Sequence, residues 1–183
     1  MKNNNTSSKN IIIKYGIVLG IISIIYNLIL HINTNFINNI TLIEGLGDLA
    51  ILTCIITYGI YTYKVTNNGF LELGKAIKIG VTIAIIGALT LIIYIILLMK
   101  VIAPEMKNQI VDTQYKRMII SNPNISQAEI EKNIVSIKTI NSFYIKSIMA
   151  LVSNLLFGFL ISLIGGAIMS KKKYNTTINN EKQ

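Results

Sequence analysis

The sequence has little charge and few of the residue types that catalytic and metal sites use. Charged residues make up 14% of its 183 residues, against about a quarter in soluble domains. Its single histidine, His31, and single cysteine, Cys54, complete no familiar zinc set and allow no intramolecular disulfide. HExxH, GxSxG and nucleotide-loop motifs are also missing from the sequence. We therefore expect a protein that is not an enzyme and that uses no cofactor or metal.

The chain is instead rich in apolar residues, which gather into four long segments. Hydrophobic residues make up 52% of the sequence. The segments cover residues 11–32, 43–63, 77–99 and 145–169, and each reaches the roughly 20 helical residues that cross a bilayer core. None shows the period-two alternation of barrel strands. The sequence predicts an all-α membrane protein with one domain of four transmembrane helices over residues 11–173.

Basic residues flank these spans and give a net charge of +9. No lysine or arginine occurs in residues 33–42, between the first two spans. The lysines before span one, between spans two and three, and after span four are Lys2, Lys9, Lys14, Lys64, Lys75, Lys78, Lys171, Lys172, Lys173 and Lys182. The segment between spans three and four also carries seven basic residues, from Lys100 to Lys146, but it is long and mixed with acidic residues and so weighs less in the orientation. By the positive-inside rule, both termini and the loop between spans two and three are cytoplasmic. The lysines do not form a basic face with interleaved aromatics, so we expect the lipid bilayer as a partner and not nucleic acid.

The two ends of the chain differ from the spans in composition. Residues 1–10 and 174–183 are rich in asparagine, threonine and lysine and have almost nothing to bury. Such segments cannot offset the entropy cost of ordering. We expect both ends to be disordered and cytoplasmic.

The segment between spans three and four, residues 104–140, is too long for a simple connection. Pro104 suits the first turn of one helix, and Pro123 suits its end. Ser126 and Glu129 then form an S-x-x-E capping box at the start of a second amphipathic helix. The sequence predicts an extracytoplasmic helical hairpin. It either packs on itself as a cap or binds a partner, a ligand or the bilayer surface.

Small residues recur every four positions in three of the spans, where they let helix backbones approach closely. They are Gly16 and Gly20 in span one, Gly80, Ala84 and Ala88 in span three, and Gly158, Ser162 and Gly166 in span four. Packing within one four-helix bundle explains these stripes, and a dimerisation surface or a substrate-lined seam is the alternative.

Three polar residues, Asn27, Asp48 and Asn154, are predicted to lie within the spans. An amide in hydrocarbon needs a partner on another helix. Asn27 and Asn154 fall at similar depth, which predicts a contact between them. Asp48 is expected to pair with Asn27 or with a loop lysine. Simple bonding between helices and coordination of a solute both remain open.

A second polar cluster is predicted at the outer edge of the membrane. Glu44 and Asp48 share one helix face, and His31 ends the preceding span a short loop away. Such groups could bind a metal or relay protons. The alternative is that His31 and Glu44 only lie in the wet interface.

Residues 69–78 have the pattern of an interfacial segment. Phe70 and Leu71 suit the headgroup region, whereas Lys75 and Lys78 suit contact with anionic lipid. Anchoring of the helix ends explains this pattern.

The order of these parts resembles the bacterial membrane family known as domain of unknown function 4199. The resemblance rests on residues 14–21, 69–80 and 103–105, the Ser-x-x-Glu helix and residues 171–173. It covers residues 14 to 173, and residues 69–80 are its most specific part, although Leu73 stands where an aromatic residue is expected. The resemblance implies a bacterial inner-membrane protein with four helices, and it carries over no active site.

Two functions follow as hypotheses. The first is a non-enzymatic accessory, scaffold or interaction component of the membrane, acting through its bundle and outer hairpin with a membrane-protein partner or as a homo-oligomer. The second is an oligomeric carrier of a small solute or ion that uses Asn27, Asp48 and Asn154, because ionisable and polar groups within spans are often functional.

Overall fold

The computed structural model describes residues 3–32, 40–102, 106–140 and 142–171. Regular structure in these ranges is helical, apart from one isolated β-bridge between Leu71 and Lys171. The elements are α1 (Asn3–Ile32), α2 (Ile40–Thr66), α3 (Leu73–Leu97), a π-helical turn (Leu98–Ile102), α4 (Met106–Ser121), α5 (Gln127–Ile140) and α6 (Phe143–Met169).

Four of these helices, α1, α2, α3 and α6, are long and apolar enough to cross a membrane. Their candidate spans are Ser8–Leu30, Gly45–Thr66, Leu73–Leu97 and Phe143–Met169. They coincide with the four predicted segments to within a few residues. The prediction of an all-α chain with four spans is therefore confirmed, whereas its orientation in the membrane stays a prediction.

Helix α1 begins earlier than the composition of the N-terminus indicated. It starts at Asn3, so residues 3–10 are helical where disorder was expected. Ser8 and Ile11 are only 5% and 8% exposed. Adding a residue to an existing helix forms one further hydrogen bond at little cost, so the helix of the apolar span extends into the polar residues 3–10. The predicted disordered tail, residues 174–183, lies outside the described residues.

The described chain groups into two compact units whose boundaries fall inside α3 and α6. The first unit runs to Gly87 and resumes at Asn154; the second covers Ala88 to Ser153. The core of the first unit contains fully buried aliphatic side chains from three helices: Leu19, Ile56, Ile60, Ile79 and Ile83. The prediction of one domain over residues 11–173 stays a prediction.

The second unit contains the two-helix segment between spans three and four. The backbone N–H of Glu129 donates to Oγ of Ser126 over 3.3 Å, which is the capping bond that the sequence predicts. The side-chain amide of Asn133 lies 3.2 Å from Sδ of Met118 and so joins α5 to α4. The helices are formed as predicted and contact each other. Their extracytoplasmic location stays a prediction, and Pro104 lies outside the described residues.

Candidate functional site

Helices α3 and α6 meet along a seam of small residues in the first unit. A Cβ built at Gly158 would stand 2.5 Å from the Cβ of Ala84, and one built at Gly166 would stand 2.8 Å from the Cβ of Ala76. A Cβ at Gly80 would overlap the hydroxyl of Ser162. The facing pairs are thus Ala76 with Gly166, Gly80 with Ser162, and Ala84 with Gly158.

The seam keeps one antiparallel register throughout. Each step of four residues along α3 is matched by a step of four back along α6. Five residues beyond the Ala76–Gly166 pair, outside both helices, Leu71 and Lys171 form the β-bridge. The N···O distances of its two backbone hydrogen bonds are 3.0 and 2.8 Å. The hydroxyl of Ser162 donates back to the carbonyl of Gly158 in its own helix, so its polar group is satisfied inside the seam.

Helix α1 packs on α3 through glycines from both sides. A Cβ at Gly16 would lie 2.6 Å from the Cβ of Ile86, and a Cβ at Gly87 would lie 2.5 Å from Cδ2 of Leu19. Gly20 and Ala88, also part of the predicted stripes, are buried. The predicted small residues whose contacts are described thus face neighbouring helices of the same chain.

A polar contact joins α1 to α2 inside the candidate spans. Nδ2 of Asn27 donates to Oδ1 of Asp48 over 3.3 Å and to the backbone carbonyl of Ser23 over 2.8 Å. Beside this contact the ring of Tyr26 lies over Gly47, where a Cβ would overlap it. The structure therefore forms one of the two pairings predicted for Asp48. The Asn27–Asn154 contact stays a prediction.

The predicted outer-edge cluster is only partly described. His31 lies in the last turn of α1 and Glu44 in the second turn of α2, but their side chains lie outside what the structure describes. Among the described residues, no group of three His, Cys, Asp or Glu side chains could hold a metal ion. The metal and proton-relay hypotheses for His31 and Glu44 remain untested.

A polar pocket of about 290 Å³ lies at one end of the first unit. It is lined by Tyr63, Asn67, Phe70, Leu71, Glu72, Lys75 and Lys171. These residues come from the end of α2, the loop between α2 and α3, the start of α3 and the residues after α6. Nζ of Lys75 lies 5.8 Å from the centre of the Tyr63 ring, a cation–π arrangement.

The loop that forms this pocket is fixed by its backbone. Asn68 and Gly69 have φ of 55° and 79°, the left-handed region that ends many helices. The N–H of Gly69 donates to the carbonyl of Lys64 over 2.9 Å, which is the long bond of a Schellman cap, and the amide of Asn67 donates to the carbonyl of Phe70 over 2.9 Å. Leu71 is 1% exposed and anchors the loop.

The sequence predicts only part of this pocket. The pattern of residues 69–78 groups Lys75 with Lys78 at the membrane surface, but Lys78 does not line the pocket, whereas Lys171 does. The Asn68-Gly69 pair is a turn signal that predicts a tight end for α2. The pairing of Leu71 with Lys171 joins positions 100 residues apart, and no local pattern encodes it.

Together, the four apolar helices and their close small-residue contacts define a multi-pass helical membrane protein. Residues 14–171 match the family described as Protein of unknown function (DUF4199), and the chain belongs to this family. The family resemblance predicted from the sequence is thus confirmed. No curated protein and no solved structure matches the chain.

Proposed function

We propose that the protein is a non-enzymatic accessory or scaffold component of a membrane, which acts by binding other membrane proteins. The observation that supports this proposal is that small and polar residues of the candidate spans make contacts between helices. Gly80, Ser162 and Gly158 take part in the α3–α6 seam, and Asn27 bonds to Asp48. Groups that a catalytic or transport path would use are thereby engaged in holding helices together.

The α4–α5 hairpin offers the surface for such binding. Ile120 at the end of α4 and Val135 in α5 are 79% and 64% exposed. Exposed apolar surface of this kind can be covered by a protein or by a bilayer surface. We propose that a membrane-protein partner covers them.

Site-specific photo-crosslinking in cells tests this proposal. A photoreactive residue in place of Ile120 or Val135 is expected to give a discrete protein adduct. The same residue in place of Gln114, which is exposed and polar in α4, is the matched control. Adducts to lipid alone, or equal protein adducts at Gln114, would contradict the proposal.

We further propose that the membrane is the bacterial inner membrane, with both termini cytoplasmic and the hairpin extracytoplasmic. The flanking lysines support this orientation. In a Cys54→Ser background, an impermeant maleimide is expected to label Asn122→Cys in the hairpin of intact spheroplasts. Thr66→Cys at the end of α2 should react only after lysis; the reverse pattern would overturn the orientation.

A second candidate function is an oligomeric carrier for a small ion. The supporting observation is Asp48, an ionisable residue that is half-buried within a candidate span, since such residues often mark ion pathways. In proteoliposomes, proton and sodium flux should then be present and should fall in Asp48→Asn, which keeps an acceptor for Asn27. Absence of flux above empty liposomes would argue against the carrier.

A further inference from the structure

The polar pocket lies where the candidate spans of α2 and α3 end, which corresponds to headgroup depth when these helices cross a bilayer. Helix α2 ends at Thr66 and α3 begins at Leu73, so their loop stays at one membrane face. The backbone bridge between Leu71 and Lys171 holds the end of α6 at the same level. The apolar spans Gly45–Thr66 and Leu73–Leu97 both stop at this level. The depth of the pocket therefore follows from the fold and does not depend on which face is cytoplasmic.

The side chains of the pocket favour a singly charged anion. Lys75 and Lys171 carry two positive charges against the one negative charge of Glu72. Lysine binds phosphate as a point charge, and each lysine near an anionic membrane surface adds about a fivefold affinity. Tyr63 and Phe70 add the aromatic surface that is typical of the membrane interface.

The size and rigidity of the pocket fit a headgroup. Its volume of about 290 Å³ lies just below the roughly 300–1,000 Å³ of pockets for drug-sized ligands, which suits a group as small as a headgroup. The left-handed Asn68 and Gly69 and the Leu71–Lys171 bridge fix the positions from which both lysines project. A preformed site loses less entropy on binding, which raises its affinity.

We propose that this pocket binds the phosphodiester of a glycerophospholipid, with Lys75 and Lys171 on the phosphate. Glu72 lowers the net charge of the described lining residues to +1, so a singly charged phosphodiester neutralises them without leaving an excess of negative charge. This site goes beyond the proposed accessory role and stands whether the protein is a scaffold or a carrier.

Lipid binding to the full chain in detergent tests the proposal, with dioctanoyl phosphatidylglycerol as the probe and native mass spectrometry as the readout. Lys75→Gln and Lys171→Gln are each expected to weaken binding about fivefold. The matched control is Lys78→Gln, which removes an exposed lysine of α3 outside the pocket and should leave affinity unchanged. Equal losses in all three variants would reduce the effect to general surface charge and overturn the site.

Two further measurements complete the test. The first distinguishes a lipid phosphate from a soluble phosphate compound, and the second uses the unaltered protein, so its outcome does not depend on whether the variants fold. Glycerol 3-phosphate should bind more weakly than the lipid; equal binding would assign the pocket to a soluble phosphate compound and overturn the lipid. In the unaltered protein, phosphatidylglycerol should slow amide hydrogen exchange in residues 64–75, whereas diacylglycerol, which lacks the phosphate, should not. Equal slowing by both would contradict the proposal even if the lysine variants fail to fold.

Discussion

Ser162 of α6 occupies the space that a side chain at Gly80 of α3 would fill. A Cβ at Gly80 would also lie 2.8 Å from Cγ2 of Ile56 in α2 and 2.9 Å from the Cβ of Ser162. Helices α2, α3 and α6 therefore pack closely around Gly80, which has no side chain. In a membrane, where lipid is as apolar as leucine, such close contact is a main source of helix association.

Gly80→Ala is expected to lower the free energy of unfolding by about 1–3 kcal/mol, because the added methyl group has no space. The measurement is denaturing-detergent titration in mixed micelles, followed by circular dichroism. Gly74→Ala is the control in the same helix, since a Cβ there meets nothing within 4 Å. It should be neutral or slightly stabilising. Equal effects of the two substitutions would show that the seam is not tightly packed.

The pair of substitutions Gly158→Ala and Ala84→Gly, which moves a methyl group from α3 to α6, tests whether these two positions face each other. Gly158→Ala alone should destabilise the protein by about 1–3 kcal/mol, because the Cβ of Ala84 stands 2.5 Å from the new atom. Adding Ala84→Gly removes that clash, and the next atoms, on Ile56 and Gly80, lie at 3.6 and 4.0 Å. The double variant should therefore recover most of the loss in the same titration. Additive losses would contradict the register.

The Asn27–Asp48 contact should appear as a coupling energy in a double-mutant cycle. Asn27→Ala and Asp48→Ala, alone and combined, are expected to couple by about 0.6 kcal/mol and by no more than about 1.7, the range for hydrogen bonds between membrane helices. Thr53→Ala replaces Asp48→Ala in the control cycle, because the exposed Thr53 hydroxyl bonds within its own helix. Zero coupling between Asn27 and Asp48 would mean that their hydrogen bond contributes nothing to stability.

The cap at Ser126 should stabilise α5 selectively. Ser126→Ala is expected to cost about 1 kcal/mol, which corresponds to roughly fivefold faster amide exchange in the first turn of α5. The control is Ser136→Ala, whose hydroxyl bonds to the Lys132 carbonyl in the same helix and caps nothing. If both variants exchange alike, the Ser126 bond does not hold the helix start.

The features that the sequence predicts well are those that neighbouring residues determine. Hydropathy over about 20 residues locates each span, because insertion depends on the summed transfer energy of that segment. The start of α5 follows from Ser126 and Glu129, three positions apart. Asn122 and Pro123 likewise mark the end of α4 at Ser121.

What the sequence leaves open depends on partners far along the chain. Three spans carry small residues at the same spacing, so spacing alone cannot show that Gly80 faces Ser162 and not Gly16. Asp48 had two candidate partners, and only the packing of α1 on α2 selects Asn27. The sequence does not pair Lys75 with Lys171 for the same reason, because the two line one pocket only through the Leu71–Lys171 bridge between distant segments.

The seam also sets an order of events during biosynthesis. Ala76 and Gly166 are separated by 90 residues, and a ribosome adds roughly 5–20 residues each second. The small residues of α3 are therefore synthesised about 5 to 20 seconds before the α6 residues that pack against them. During this interval the small residues of α3 have no α6 residues to contact. They can contact the insertion machinery or another nascent helix instead.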